Sequence, residues 1–238
     1  MRVEGRNAVA ELIKTDVEID KIMIEDGMRD APSRALVNQI KSMGFKVQFA
    51  PKQALDKNSE RGKHQGFIAF VPDFEYAELE DIIYSAQNKD GLIIALDGIN
   101  DPHNLGAIIR VCECAGADGL IITRDRCCQV TDTVMRISEG GAAHLKIARV
   151  INLVMALEKL KEKGYWVTGA DLGGENLYKA DLTGKTVIVI GGEDSGIRKL
   201  TKQTCDRIVQ IPMCGKVNSL NASVACGIVV FEALRQRT

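Results

Sequence analysis

The chain has 238 residues, of which 45% are apolar and 26% charged, and its 31 Lys and Arg against 32 Asp and Glu leave a net charge of −1. This is the composition of a folded globular protein, long enough for one large domain or two small ones. It excludes a protein that holds nucleic acid by global positive charge, so any such contact must come from a local patch.

In chain order, the N-terminus "MRVEGRNAVAELIK" lacks the apolar centre of a signal peptide, and a cytoplasmic location is expected. "GRNAVAELIK" reads as a helix, "IDKIMIE" as a strand, and "SRALVNQIKSMG" as a helix closed by Gly44. "KVQFA" is a strand, Pro51 opens a short helix, and "GFIAFV" is another strand. Together residues 1–75 form a small α/β unit. Residues 76–90 are acidic, end in a turn signal, and read as a connector with a helix.

From Gly91 the alternation resumes with the strand "GLIIALD", the helix "NLGAIIRVCECAG", the strand "DGLIIT" and the short helix "TDTVMRIS". "LKIARV" is a strand, "NLVMALEKLKEKG" a helix, and "YWVTGAD" and "TVIVIGGE" are strands. A helix over "GIRKLTKQTC", a strand "RIVQIP" and a last helix over 219–236 complete residues 91–238. Such alternation predicts an α/β fold with a mostly parallel sheet covered by helices on both faces. Ligands in such sheets sit beyond the carboxyl ends of the strands. The longest apolar runs, such as "CGIVVF", fall far short of the roughly 20 residues that span a bilayer. Seven cysteines occur without a C-x-x-C pair, and no metal site is expected. Cys112 and Cys114, two apart on a helix, point to different sides, so buried reduced thiols are the simpler reading.

Three strand ends carry polar and glycine residues. In "LDGINDPHNLGAIIRV", a helix starts near Pro102 or His103 and Asn104 lies in its first turn. Gly106 permits a close approach, and Arg110 is a guanidinium in an otherwise apolar helix. A structural ion pair and a phosphate site explain Arg110 equally well. In "TVIVIGGEDSGIRKL", Gly191 and Gly192 begin no G-x-G-x-x-G, and Glu193 with Asp194 would repel a pyrophosphate. That ending suits a neutral or cationic ligand held by backbone groups, with Glu193 as a helix capper the plainer alternative. In "IPMCGKVNSLNASVACGIVVFEALRQR", Asn218 or Ser219 is expected to cap the last helix. Leu220, Val224, Ile228 and Phe231 form one apolar stripe of it, and other apolar residues cover much of the rest. A helix of that kind is buried in a core or against a second copy of itself.

The three segments together resemble the SpoU (TrmH) branch of the SPOUT class of RNA 2'-O-ribose methyltransferases. The residues that carry the resemblance are Asn104, Gly106 and Arg110; Gly191, Gly192 and Glu193; and Ile211 to Met213 with Ser219 to Ala225. "GRNAV" and "GKHQGFIAFV" look like the ribosomal-protein-like RNA-binding domain that precedes the catalytic domain in bacterial 23S rRNA guanosine methyltransferases.

The resemblance implies a trefoil-knotted sheet in residues 91–238, an exception to the rule that connections do not thread. It implies S-adenosylmethionine held by Gly191, Gly192, Glu193, Ile211, Met213, Ser219 and Leu220. It implies a homodimer through the last helix, with no membrane partner. The reaction would be attack of a ribose 2'-hydroxyl on the sulfonium methyl. Arg110 would bind the phosphate and stabilise the developing alkoxide, because an arginine is a poor base. Asn104, Glu193, Ser219 and Asn221 would orient the reactants. Arg61, Lys63, His64, Arg124 and Arg126 are the candidate RNA contacts. A tRNA-directed enzyme of the same family and a non-catalytic RNA-binding protein of the same fold are the alternatives. A nicotinamide dehydrogenase is disfavoured by the failed glycine fingerprint.

Overall fold

The computed structural model describes residues 2–15, 19–28, 30–59, 62–71, 74–87, 89–192, 196–216 and 219–238. The chain divides into two compact units, Met1–Phe74 and Glu75–Thr238.

The smaller unit contains β1 (Arg2–Glu4), α1 (Arg6–Leu12), β2 (Lys21–Glu25), α2 (Ala31–Ser42), β3 (Val47–Ala50), α3 (Lys52–Asn58) and β4 (Phe67–Phe70). Its sheet runs β1-β4-β2-β3, with β2 and β3 parallel and the other pairs antiparallel. Strand periodicity sorts the side chains to two faces. Ile22, Ile24, Phe67 and Ala69 meet Val9 and Ile13 of α1 and Leu36 and Ile40 of α2. Met23 and Ile68 point the other way, to Leu55 of α3. Asp30 caps α2 by accepting a bond from the Ser33 N–H at 2.9 Å.

The larger unit contains α4 (Leu79–Ser85), β5 (Leu92–Asp97), α5 (Pro102–Cys114), β6 (Gly119–Thr123), α6 (Asp132–Ile137), α7 (Gly141–His144), β7 (Ile147–Val150) and α8 (Leu153–Glu162). There follow β8 (Trp166–Asn176), a 3-10 turn (Leu177–Lys179), β9 (Thr186–Gly191), α9 (Lys199–Thr204), β10 (Arg207–Gln210) and α10 (Ala222–Arg235). The sheet is parallel throughout, in the order β10-β8-β9-β5-β6-β7. The chain lays β5, β6 and β7 outward to one edge and crosses back to β8. It then inserts β9 between β8 and β5, and β10 closes the far edge.

Helices cover both faces. Ile93 and Ala95 of β5 share a core with Leu79 and Ile82 of α4 and Leu153, Leu157 and Leu160 of α8. The alternate residues Leu92, Ile94 and Leu96 therefore face the side that carries α5 and α10. Each side chain buried in this way contributes about 1.5–3 kcal/mol. The segment 76–90, expected as a connector, adds Leu79, Ile82 and Ala86 to this core.

Several elements differ from the sequence expectation. β1, α7 and the 3-10 turn are three or four residues each, too short for a periodic pattern. α9 begins at Lys199 and α10 at Ala222, later than expected. β8 continues five residues past Asp171 to Asn176. No helix among the described residues is long and apolar enough to cross a membrane.

Gly106 explains one small residue of the first segment. A Cβ there would stand 2.6 Å from Cβ of Ile137 and 3.1 Å from the Val134 carbonyl oxygen, both on α6. The residue is a close-packing point between α5 and α6. Overpacking costs about 1–3 kcal/mol, and the better helix propensity of alanine returns at most about 1 kcal/mol. Gly106→Ala should therefore lower unfolding stability by roughly 1–2 kcal/mol in urea melts. An unchanged midpoint would show that α6 simply moves away.

Candidate active site

The carboxyl ends of β8, β9 and β10 surround a cavity of about 330 Å³. Its floor is the backbone at the end of β9. A Cβ on Gly191 would fall 2.2 Å from the carbonyl carbon of Gly196, and one on Gly192 would fall 2.4 Å from the Gly98 carbonyl oxygen. Only glycine fits either position, because both obstructions are main chain. The Gly192 N–H donates to the Asp97 carbonyl at 3.0 Å, tying this end to β5. The Asp97 side chain is fully buried and receives the Arg198 N–H at 2.9 Å, while the Arg198 guanidinium pairs with the same carboxylate. A carboxylate withdrawn from water needs such a partner. The pair fixes the start of α9 beneath the cavity.

One wall comes from an interruption in β8. Ile208 of β10 pairs with Gly169, but its neighbour Val209 pairs with Glu175, so residues 170–174 leave the ladder as a bulge. A Cβ on Gly174 would stand 2.4 Å from the Ile208 carbonyl oxygen, and Gly173 has φ +77°. The Gly173 N–H donates to Oε1 of Gln210 at 3.0 Å. The bulge places Ala170, Asp171 and Leu172 on the cavity. The sequence expectation of a strand ending at Asp171 missed it; Gly169 and the pair Gly173-Gly174 were its signal.

The opposite wall is the segment before α10. Ile211, Met213, Ser219 and Leu220 line the cavity together with Gly191, Gly192, Ala222 and Ala225. Six of the expected donor-binding residues thus converge on one space. Glu193, the seventh, lies outside the described residues. The cap of α10 is Asn221, not Asn218 or Ser219: its Oδ1 accepts from the Ser223 N–H at 3.0 Å and the Val224 N–H at 3.4 Å. Its Nδ2 donates to Oδ1 of the buried Asn104 at 2.8 Å. This bond joins the first turn of α5 to the cap of α10 and selects Asn221 among the neighbouring polar residues; neither asparagine lines the cavity, although Leu220 and Ala222 on either side of Asn221 do.

Arg110 does not line the cavity. It is exposed and pairs with Glu139 at 2.7 Å. Six residues along α5 from Asn104 is about 9 Å of rise and a different helix face. The apolar stripe expected on α10 is its outward side: Leu220, Val224 and Phe231 are 40%, 50% and 47% exposed, and Ile228 is half-buried. Val229, Val230 and Ala233 form the buried side.

Of the candidate RNA contacts, Lys63, Arg124 and Arg126 are exposed. Arg124 and Arg126 sit on a turn in which the Gln129 amide donates to the carbonyls of Thr123, Arg124 and Cys127 at 2.9–3.2 Å. Arg126 adopts φ +62° there. His64 is a correction. It is buried, with Nδ1 accepting from the Gly66 N–H at 3.0 Å and Nε2 bonded to Asp56 at 2.9 Å. The first bond makes Nε2 the protonated nitrogen. His64 braces its turn and presents no ring edge to a ligand. Arg61 lies outside the described residues.

The cysteines are all free. Burial pushes the Cys127 and Cys205 thiols up to about 12. The Cys112 thiol is raised by its hydrogen bond with Cys226 and by burial. These thiols are inert packing groups. No cluster of three or more His, Cys, Asp or Glu among the described residues could hold a metal.

A match to the SpoU rRNA methylase family spans residues 91–231, and a match to the RNA 2'-O ribose methyltransferase substrate-binding family spans residues 2–77. The chain belongs to the SpoU family. It is an RNA methyltransferase of the TrmH/SpoU kind, built on the SPOUT fold with an N-terminal substrate-binding domain. A protein of Staphylococcus haemolyticus described as a TrmH family tRNA/rRNA methyltransferase is 40% identical over 99% of this chain and 95% of its own length. One of Bacillus subtilis with the same description is 38% identical, again over 99% and 95%. Among solved structures, the SpoU methyltransferase AviRb of Streptomyces viridochromogenes, in complex with AdoMet, superposes with a TM-score of 0.68 at 23% identity, over 100% of this chain and 90% of that one. The TrmH/SpoU tRNA-modifying enzyme of A. aeolicus superposes with a TM-score of 0.58 at 29% identity, over 67% and 84%.

The glycine pair of this SpoU protein makes a direct prediction. Gly191→Ala or Gly192→Ala should lower Tm by roughly 5–10 °C, since a main-chain obstruction cannot rotate aside. A melting curve within about 1 °C of wild type would show that the strand end has room to spare.

Proposed function

We propose that the protein transfers a methyl group from S-adenosylmethionine to the 2'-hydroxyl of a guanosine ribose in 23S rRNA. The observation that carries this reading is the cavity: glycines expose backbone groups at its floor, and Ile190, Val209, Ile211, Met213 and Leu220 supply an apolar slot suited to an adenine. Gly191, Gly192, Ile211, Met213, Ser219 and Leu220 would hold the donor there, with Glu193 beside them. When bound, S-adenosylmethionine supplies an electrophilic methyl group on a sulfonium. The rRNA substrate is supported by the family matched over residues 91–231 and by the substrate-binding domain in residues 2–77. Lys63, Arg124, Arg126 and Arg61 are the cations proposed to meet its phosphates.

The chain's own work falls on the hydroxyl. Asn104 and Asn221, joined to each other beside the lining residues Leu220 and Ala222, orient the ribose together with Ser219 and Glu193. Arg110 binds the adjoining phosphate and stabilises the developing alkoxide. An exposed pair with Glu139 contributes little to folding and leaves the guanidinium available. Because Arg110 lies off its own cavity, we assign it to the cavity of a second protomer. The exposed stripe Val224, Ile228 and Phe231 of α10 is the surface proposed for that homodimer.

Two expected outcomes test this scheme. Arg110→Ala should cut turnover on the order of 10³-fold while donor affinity stays within about threefold. Mixing Arg110→Ala with Asn221→Ala protomers should restore activity, since one site then has an intact cavity and an intact arginine. Continued inactivity of the mixture would place Arg110 in its own protomer's site. Separately, Phe231→Glu should shift the protein to a monomer in analytical ultracentrifugation; a dimer that persists would put the interface elsewhere. The substrate itself is tested by tritiated-methyl transfer to rRNA and tRNA from a strain lacking the enzyme. Label on a 23S guanosine ribose is expected, and label only on tRNA would overturn the rRNA assignment.

A further inference from the structure

We propose that Asp171 recognises the vicinal hydroxyls of the donor's ribose and that Lys202 positions it; this rests on the reading that the cavity takes S-adenosylmethionine. Asp171 is the one charged residue among the described residues that line the cavity. It arrives there through the bulge in β8, and bulges are a means of re-aiming a side chain at a site. Its carboxylate is held at both oxygens. Oδ1 accepts from the Leu172 N–H at 2.8 Å, and Oδ2 pairs with Nζ of Lys202 at 2.8 Å. Lys202 also donates to the Leu172 carbonyl at 3.3 Å, so one ammonium from α9 grips both ends of the turn. The carboxylate rests over Gly196, where a Cβ would stand 3.1 Å from Oδ1, and Gly196 lines the same cavity.

The chemistry favours a neutral diol. A carboxylate has about four acceptor positions, and the described residues supply donors to two. Asp171 lines the cavity and Lys202 does not, so the ammonium compensates the charge without itself occupying the cavity. A cationic ligand group would compete with an ammonium already in place. Two adjacent hydroxyls, each a donor with no charge, suit the remaining positions. The same logic puts an acidic side chain on the ribose of dinucleotides at a strand end. The adjoining apolar slot would hold the base of the same nucleoside.

The test measures calorimetric affinities of the full-length protein for S-adenosylhomocysteine, for 5'-methylthioadenosine, and for the 2',3'-dideoxy form of each. Wild type should bind the dideoxy forms on the order of 30-fold more weakly. In Asp171→Ala this penalty should shrink to about threefold or less, because the acceptor is gone. Asp171→Asn keeps the shape and should retain part of the penalty; it decides the matter if alanine loosens the bulge. Lys202→Met leaves the carboxylate present but no longer held, so the dideoxy penalty should fall to a value between wild type and Asp171→Ala, and Lys202→Arg should restore it. A full dideoxy penalty in both Asp171 variants overturns the proposal. So does a loss confined to S-adenosylhomocysteine with 5'-methylthioadenosine unaffected, which would put the carboxylate on the amino-acid ammonium. Failure of wild type to bind S-adenosylhomocysteine at all would instead overturn the reading of the cavity.

Discussion

The larger unit depends on a main-chain contact with no room for a side chain. β9 reaches the end of the sheet between β5 and β8 with Gly191 against Gly196 and Gly192 against Gly98. This contact sets the depth of the cavity, and the Asp97–Arg198 pair locks it from below. If the strand end were lifted by the width of one methyl group, the apolar slot and the backbone groups at its floor would separate. The mixed character of the site follows. Most of its lining is peptide backbone and aliphatic side chain, and among the described residues the polar side chains that line it are Asp171, Gln210 and Ser219.

Much of this was legible in the chain as written. Alternating strand and helix patterns announced the parallel sheet, because strands buried on both faces must be apolar throughout. The glycine pair and the Ile211–Met213 segment marked the strand ends that surround the cavity. What escaped depended on partners far away in sequence. The bulge at residues 170–174 exists only relative to β10, which comes more than thirty residues later. The cap of α10 fell to Asn221 because Asn104, on another helix, receives its amide hydrogen. His64 looked like a surface cation, yet its ring is enclosed by a turn and by Asp56.

Arg110 is a guanidinium on an otherwise apolar stretch of helix, turned outward and away from the cavity of its own chain. The helix around it is apolar, and its in-chain partner Glu139 is itself exposed. The apolar stripe of α10 is likewise well-formed packing surface turned outward. Both features are ones that the proposed homodimer would cover.

The strand order has a consequence for synthesis. A ribosome delivers β5 to β8 before β9, yet β9 occupies the gap between β5 and β8. The growing chain must hold the middle of its sheet open, or repack it, until nearly the whole protein has emerged. Pairings so distant in sequence form slowly and leave strand edges bare meanwhile. The described residues that line the cavity all fall within 170–225, so the cavity is completed among the last events of folding. A prematurely terminated chain carries the substrate-binding domain without this cavity.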